Sequence, residues 1–149
     1  MNIKQQLFLH CKQFCDNRLE VVKKSIEEIQ ESLTSETKSS AGDKHETGRA
    51  MLHLEREKSG NQLAEIQKLQ ETLSKIDISN FSKTVCLGSL VFTTQANYFI
   101  AISSGEIVLD KQVFYAISPN TPIGKLLLGK EVGDKVIFRN EEIKIVKVL

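Results

Sequence analysis

Ser39-Ser40-Ala41-Gly42-Asp43-Lys44-His45-Glu46 is a polar stretch between two long segments that both read as helix. From Ile3 to about Glu36 the chain has no Gly and no Pro, and apolar residues recur at Leu7, Cys11, Phe14, Val22, Ile26, Ile29 and Leu33. The last four alternate spacings of four and three, the pattern of a coiled-coil seam. A second seam follows the polar stretch: Met51 or Leu52, then Leu63, Ile66, Leu69, Leu73 and Ile76. Folding the chain back near Ala41 sets Leu33 against Met51, Phe14 against Leu69 and Leu7 against Ile76. Each helix then buries its stripe on the other, as in an antiparallel hairpin. Between those ends the second seam is polar, at Glu55, Ser59 and Gln62, which predicts a less tightly packed distal half. Arms of about 33 residues at ~1.5 Å rise per residue make a rod of roughly 50 Å. A core that thin stabilises poorly, so the rod makes sense as a reaching device. Dimerisation with a second hairpin is the other use of such a seam.

At the end of that rod stand two acids, Asp43 and Glu46. Helical spacing of three places them on one face. Two chemistries suit the pair. An Asp with a Glu three residues on is close to a capping box, and acids at a helix start complement its dipole. The same two carboxylates suit a hard divalent cation such as Mg²⁺.

After Ile76-Asp77-Ile78-Ser79-Asn80-Phe81-Ser82 the period changes to two. Strands are predicted over 84–93, 98–103, 106–109, 113–118, 135–138 and 142–148. Gly88 is expected to mark a bulge, Gly105 a turn and Arg139-Asn140-Glu141 a hairpin connection. Short antiparallel strands with little helix give a compact barrel or curved sheet. The exception is Thr121-Pro122-Ile123-Gly124-Lys125-Leu126-Leu127-Leu128-Gly129, which encodes one short helix. Thr121 suits its N-cap, Pro122 its first position and Gly129 the residue past its end. The leucines are expected to plug the sheet, with Thr121-Pro122-Ile123 at an exposed lip. The fold class is therefore α+β: a long antiparallel helical hairpin over 1–77, with its tip near 39–46, and a small antiparallel β domain with one short helix over 78–149.

Composition narrows the function classes. The 149 residues allow one ordinary domain or two small ones. With 20 basic and 19 acidic residues, net charge is +1, so nothing argues for autonomous nucleic-acid binding. No apolar run approaches the ~20 residues of a membrane span, and the polar start lacks a signal-peptide pattern. A cytoplasmic protein is expected, in a reducing compartment that suits the odd count of 3 cysteines. Cys11 and Cys15 share a helix face, with His10 nearby. Structural zinc wants four such ligands, and packed thiols are the expectation.

The run from Thr121 to Lys130, followed by Val132-Gly133-Asp134-Lys135-Val136, resembles the C-terminal signature of the bacterial Gre transcript-cleavage factors. Gly42-Asp43-Lys44-His45-Glu46 is similar to the Gly-Asp-x-x-Glu of the Gre hairpin tip, and Arg56-Glu57 to an Arg-Glu further along the second helix. The order of parts also agrees. The resemblance implies an FKBP-like fold for the second domain. It implies a transcription elongation factor that binds RNA polymerase, with Thr121, Pro122, Ile123 and Gly124 at the docking surface and the hairpin in the secondary channel. Asp43 and Glu46 would act there as the catalytic acids, helping to hold a second Mg²⁺ shared with the polymerase next to the nascent RNA 3′ end. The chain would be a cofactor of the polymerase's own ribonuclease activity, not an enzyme, with no tightly bound cofactor of its own, no autonomous DNA binding and no membrane. Two alternatives stay open: a Gre homologue that enters the channel and regulates or inhibits polymerase without cleavage, and a prolyl isomerase or chaperone using the FKBP-like domain.

Overall fold

The computed structural model of the chain describes the backbone of residues 2–38 and 42–149, and the side chains of these except 36–38 and 42–45. The turn expected at Ser39-Ser40-Ala41 lies outside the described residues. The chain divides into two compact units: Cys15–Gln70, and Met1–Phe14 with Glu71–Leu149.

Cys15–Gln70 is built from two helices, α1 (Ile3–Lys38) and α2 (Gly42–Ser74). Neither has a Pro to break it. The hydroxyls of Ser25 and Ser59 lie 3.5 Å apart, which fixes the two helices as antiparallel neighbours and sets Leu33 level with residue 51. From α1, Val22, Ile29 and Leu33 are buried. Facing them, α2 supplies a buried Ser59 and half-buried Leu52, Arg56 and Leu63. Met51 is 60% exposed, so Leu52 is the seam residue of that level. The polar middle of the seam is accommodated by a small hydroxyl pair and by side-chain stems instead of large apolar groups.

The other unit contains a six-stranded sheet of order β3-β4-β2-β1-β6-β5. Its strands are β1 (Leu90–Thr93), β2 (Asn97–Ile100), β3 (Gly105–Leu109), β4 (Gln112–Ile117), β5 (Lys135–Phe138) and β6 (Glu141–Val148). A short helix, α3 (Pro122–Leu127), follows β4. β5 and the Arg139-Asn140 connection fall where the period of two and the turn residues put them. Both turn residues have positive φ, 52° and 65°, the two-residue turn that matches strand twist. Asp110 and Lys111, at 49° and 65°, repeat it between β3 and β4.

Three expectations need correcting. β1 begins at Leu90 and not at Thr84, because residues 84–89 form turns around Gly88, whose φ is 92°. A Cβ on Gly88 would come within 2.9 Å of Ile76 Cγ2, so this glycine serves close approach to the chain leaving α2 and not a bulge. The observed register shift lies instead between Phe92 and Thr93, against β6. Finally, β2 and β4 pair in parallel: β3 folds out to the edge and returns through its tight turn, which slots β4 between β3 and β2.

The sheet carries buried residues on both faces. On one, Val91, Ile100, Val136, Ile143 and Ile145 pack with Val85 under Ile123 and Leu127 of α3. On the other, Leu90, Phe99, Phe114 and Ala116 are buried, and Phe92 meets Phe114 edge to face at 6.1 Å. The start of α1 belongs to the same compact unit: Leu7 and Cys11 are fully buried, with Cys11 Sγ 3.6 Å from Ser104 Oγ in the loop after β2. Among the described residues no helix is long and apolar enough to cross a membrane.

Candidate functional site

Asp43 and Glu46 both lie in the first turns of α2, which begins at Gly42. Asp43 is thus inside the helix, where its macrodipole favours a carboxylate. The side chain of Asp43 lies outside the described residues; that of Glu46 is exposed to solvent. Gly48 stays within the helix and is half-buried, as is Arg49. Among the described residues no group of three or more His, Cys, Asp or Glu side chains could hold a metal ion. His10 does not join Cys11 and Cys15 in such a group; both cysteines are buried and in no disulfide, and burial pushes the Cys15 thiol upward in pKa.

The second candidate region is the entrance to α3. Thr121 Oγ1 accepts a hydrogen bond from the Gly124 amide (3.1 Å) and donates one to the Ser118 carbonyl (2.7 Å). The hydroxyl therefore closes the loop and caps the helix at once. At the far end Gly129, with φ 79°, follows the C-cap Leu128. Gly124 is buried beneath this loop, and a Cβ there would collide with the Ser118 carbonyl and come within 2.8 Å of Thr121 Oγ1. The exposed lip is smaller than the sequence suggests. Pro122 is exposed and Thr121 half-buried, but Ile123 is only 8% exposed and belongs to the core. Helical turning after Pro122 swings Ile123 under the loop, so Ile123 and Gly124 shape the lip from below.

Two features escaped the sequence pattern. Lys4, in the polar start, is only 3% exposed. Its ammonium donates to the Asn80 carbonyl (3.0 Å) and lies 4.7 Å from the centre of the Phe81 ring. Burial pushes its pKa down, against the opposing pull of Cys86 and Asp77. No periodicity signals a buried cation whose acceptor is a backbone carbonyl 76 residues away. The other feature is an uncovered apolar row on the α3 side of the sheet, where Val108 pairs with Val113 and Tyr98 meets Tyr115 at 6.2 Å. Val108, Val113 and Tyr115 are all exposed; alternation marks a strand's two faces but not how far a short helix covers one of them.

A search of curated proteins returns no match for the chain. The family described as transcription elongation factor, GreA/GreB, C-terminal, matches residues 75–149, just over half of the chain. That span contains all six strands, α3 and the capped Thr121 loop, and with a long helical hairpin ahead of it the chain belongs to the GreA/GreB family of transcription elongation factors.

Proposed function

We propose that the chain binds RNA polymerase, inserts its hairpin into the secondary channel, and stimulates cleavage of backtracked nascent RNA by the polymerase's own active centre. The observation that carries this reading is the position of Asp43 and Glu46 in the first turns of a 33-residue helix, on a chain whose other half is a Gre domain. At ~1.5 Å per residue, α2 spans about 50 Å, long enough to carry two carboxylates into a deep channel.

Docking falls to the lip of α3. Thr121 and Pro122 supply the contact surface, while Ile123 and Gly124 hold its shape from the core. The charge balance of +1 is consistent with recruitment by a protein partner in place of direct attraction to nucleic acid.

Two carboxylates one helical turn apart do not make a Mg²⁺ site alone, since the ion takes six oxygen ligands. They do fit a shared site, because Mg²⁺ typically takes one or two carboxylates and completes its shell with waters and phosphate oxygens. Bound there, a second Mg²⁺ would supply charge stabilisation for in-line phosphodiester hydrolysis. Asp43 and Glu46 would contribute carboxylate oxygens and orient water by accepting its hydrogen bonds. The protein acts as a cofactor of the polymerase and performs no chemistry alone.

The test is a backtracked polymerase complex carrying labelled RNA, from the lineage of the chain, with wild-type protein, Asp43→Asn and Glu46→Gln. Shortened transcripts with wild type and uncut ones with either variant support the proposal. Binding and inhibition without cutting would favour a regulator of the channel, and absence of polymerase binding would refute both.

A further inference from the structure

We propose that Lys4 is a pin that holds the connector between α2 and the sheet in one conformation, a positioning role for which the chain gives up stability. The connector, residues 75–89, is largely turn and irregular backbone. Its far end is tied to distant chain, the Thr84 hydroxyl to Glu131 Oε1 (3.3 Å), the Val85 amide to the Lys130 carbonyl (2.8 Å) and the Gly88 amide to the Ile100 carbonyl (2.6 Å). Over 77–82, however, the connector's own restraints are local: the Asn80 amide donates to the Asp77 carbonyl (3.2 Å) and the Ser79 amide to Asp77 Oδ1 (3.0 Å). Such turns form and open freely unless something distant fixes them. Lys4 is distant in sequence and lies in the first turn of α1, within the same compact unit.

The groups facing its ammonium are few. From the connector come the Asn80 carbonyl and the Phe81 ring. Asp77, on the connector, and Cys86, before β1, act on it through space. Asp77 is itself held by Ser79, whose hydroxyl and then amide keep its carboxyl below the usual range. Lys4 therefore has a neutral acceptor, an aromatic face and a carboxylate already engaged elsewhere. A cation buried at 3% exposure with those partners does not recover the full cost of leaving water. A methionine would fill much of the same volume without that cost. Energetically the residue is a poor choice for the core and a good one for geometry, since only a directional donor selects one position of the Asn80 carbonyl.

This separates local order from global stability. Hydrogen exchange followed by mass spectrometry on the full chain, wild type against Lys4→Met, reads both. In the variant, amides 79 and 80 should exchange about tenfold faster, the loss expected of one charge-assisted hydrogen bond. Amides of β1, β2 and β6 should keep their protection, and the melting temperature should stay level or rise. Phe81→Leu keeps the ammonium–carbonyl bond and loses the ring, so its connector amides should speed up by a smaller factor. Unchanged connector exchange in both variants would overturn the proposal. So would faster exchange throughout the sheet with a lowered melting temperature, which would make Lys4 an ordinary core side chain.

Discussion

The helical segment Cys15–Gln70 and the sheet unit contrast in how their cores are built. The hairpin buries single residues along a line: Cys15, Val22, Ile29 and Leu33 from one helix, and Ser59 and Ile66 with half-buried stems from the other. The sheet buries a closed set, in which Ile123 and Leu127 touch strands that are far apart in sequence. A linear seam makes contacts of regular spacing, so each residue's loss is felt locally. A closed cluster shares its contacts, so the loss of one member leaves a cavity the others cannot fill.

The largest expected effect follows directly. Leu127→Ala should cost about 3 kcal/mol in urea denaturation, because Leu127 is fully enclosed. Leu33→Ala, at the thin seam, should cost about half as much, since a two-helix surface relaxes onto the gap. Equal costs would erase the contrast. Gly124→Ala comes next, at about 1–3 kcal/mol, because a methyl group meets the Ser118 carbonyl and displaces the Thr121 cap. Ser59→Ala should change stability by less than ~1 kcal/mol, the worth of a long hydroxyl contact. A larger loss would mean that the serine pair, and not the apolar positions, sets helix register.

The smallest effect is one of slope. The pKa of Lys4 is lowered in the folded state, so the unfolded chain holds more protons between that value and about 10.4. Wild-type stability should therefore rise relative to Lys4→Met as pH climbs through that window, and the difference should be constant below it. Thermal unfolding of both proteins across the alkaline range reads the slope, and parallel curves throughout would contradict a buried charge.

The same contrast explains what could be read from the chain. Helical period carried the two long helices, and the Ser25–Ser59 contact reproduces the level at which Leu33 was set against residue 51. What a period cannot say is which of two adjacent apolar residues points inward, and Leu52 displaced Met51 there. In the sheet, the caps of α3 and the Arg139-Asn140 turn were encoded locally and could be read. The parallel β2–β4 pair, the burial of Ile123 and the cation at Lys4 were not, since each depends on chain brought in from a distance. The acid pair was visible as two residues of the right type at helical spacing; its proposed partner chemistry lies in another protein.

The central claim is that Asp43 and Glu46 complete a Mg²⁺ site of the polymerase. The direct measurement is the cleavage rate of a backtracked complex as a function of Mg²⁺ concentration, with no added protein, with wild type, and with the Asp43→Asn, Glu46→Gln double variant. Wild type should lower the Mg²⁺ needed for half-maximal cleavage, and the double variant, while still bound, should return it to the value of polymerase alone. Cleavage stimulated equally by the double variant, at the same Mg²⁺ requirement as wild type, would contradict the account.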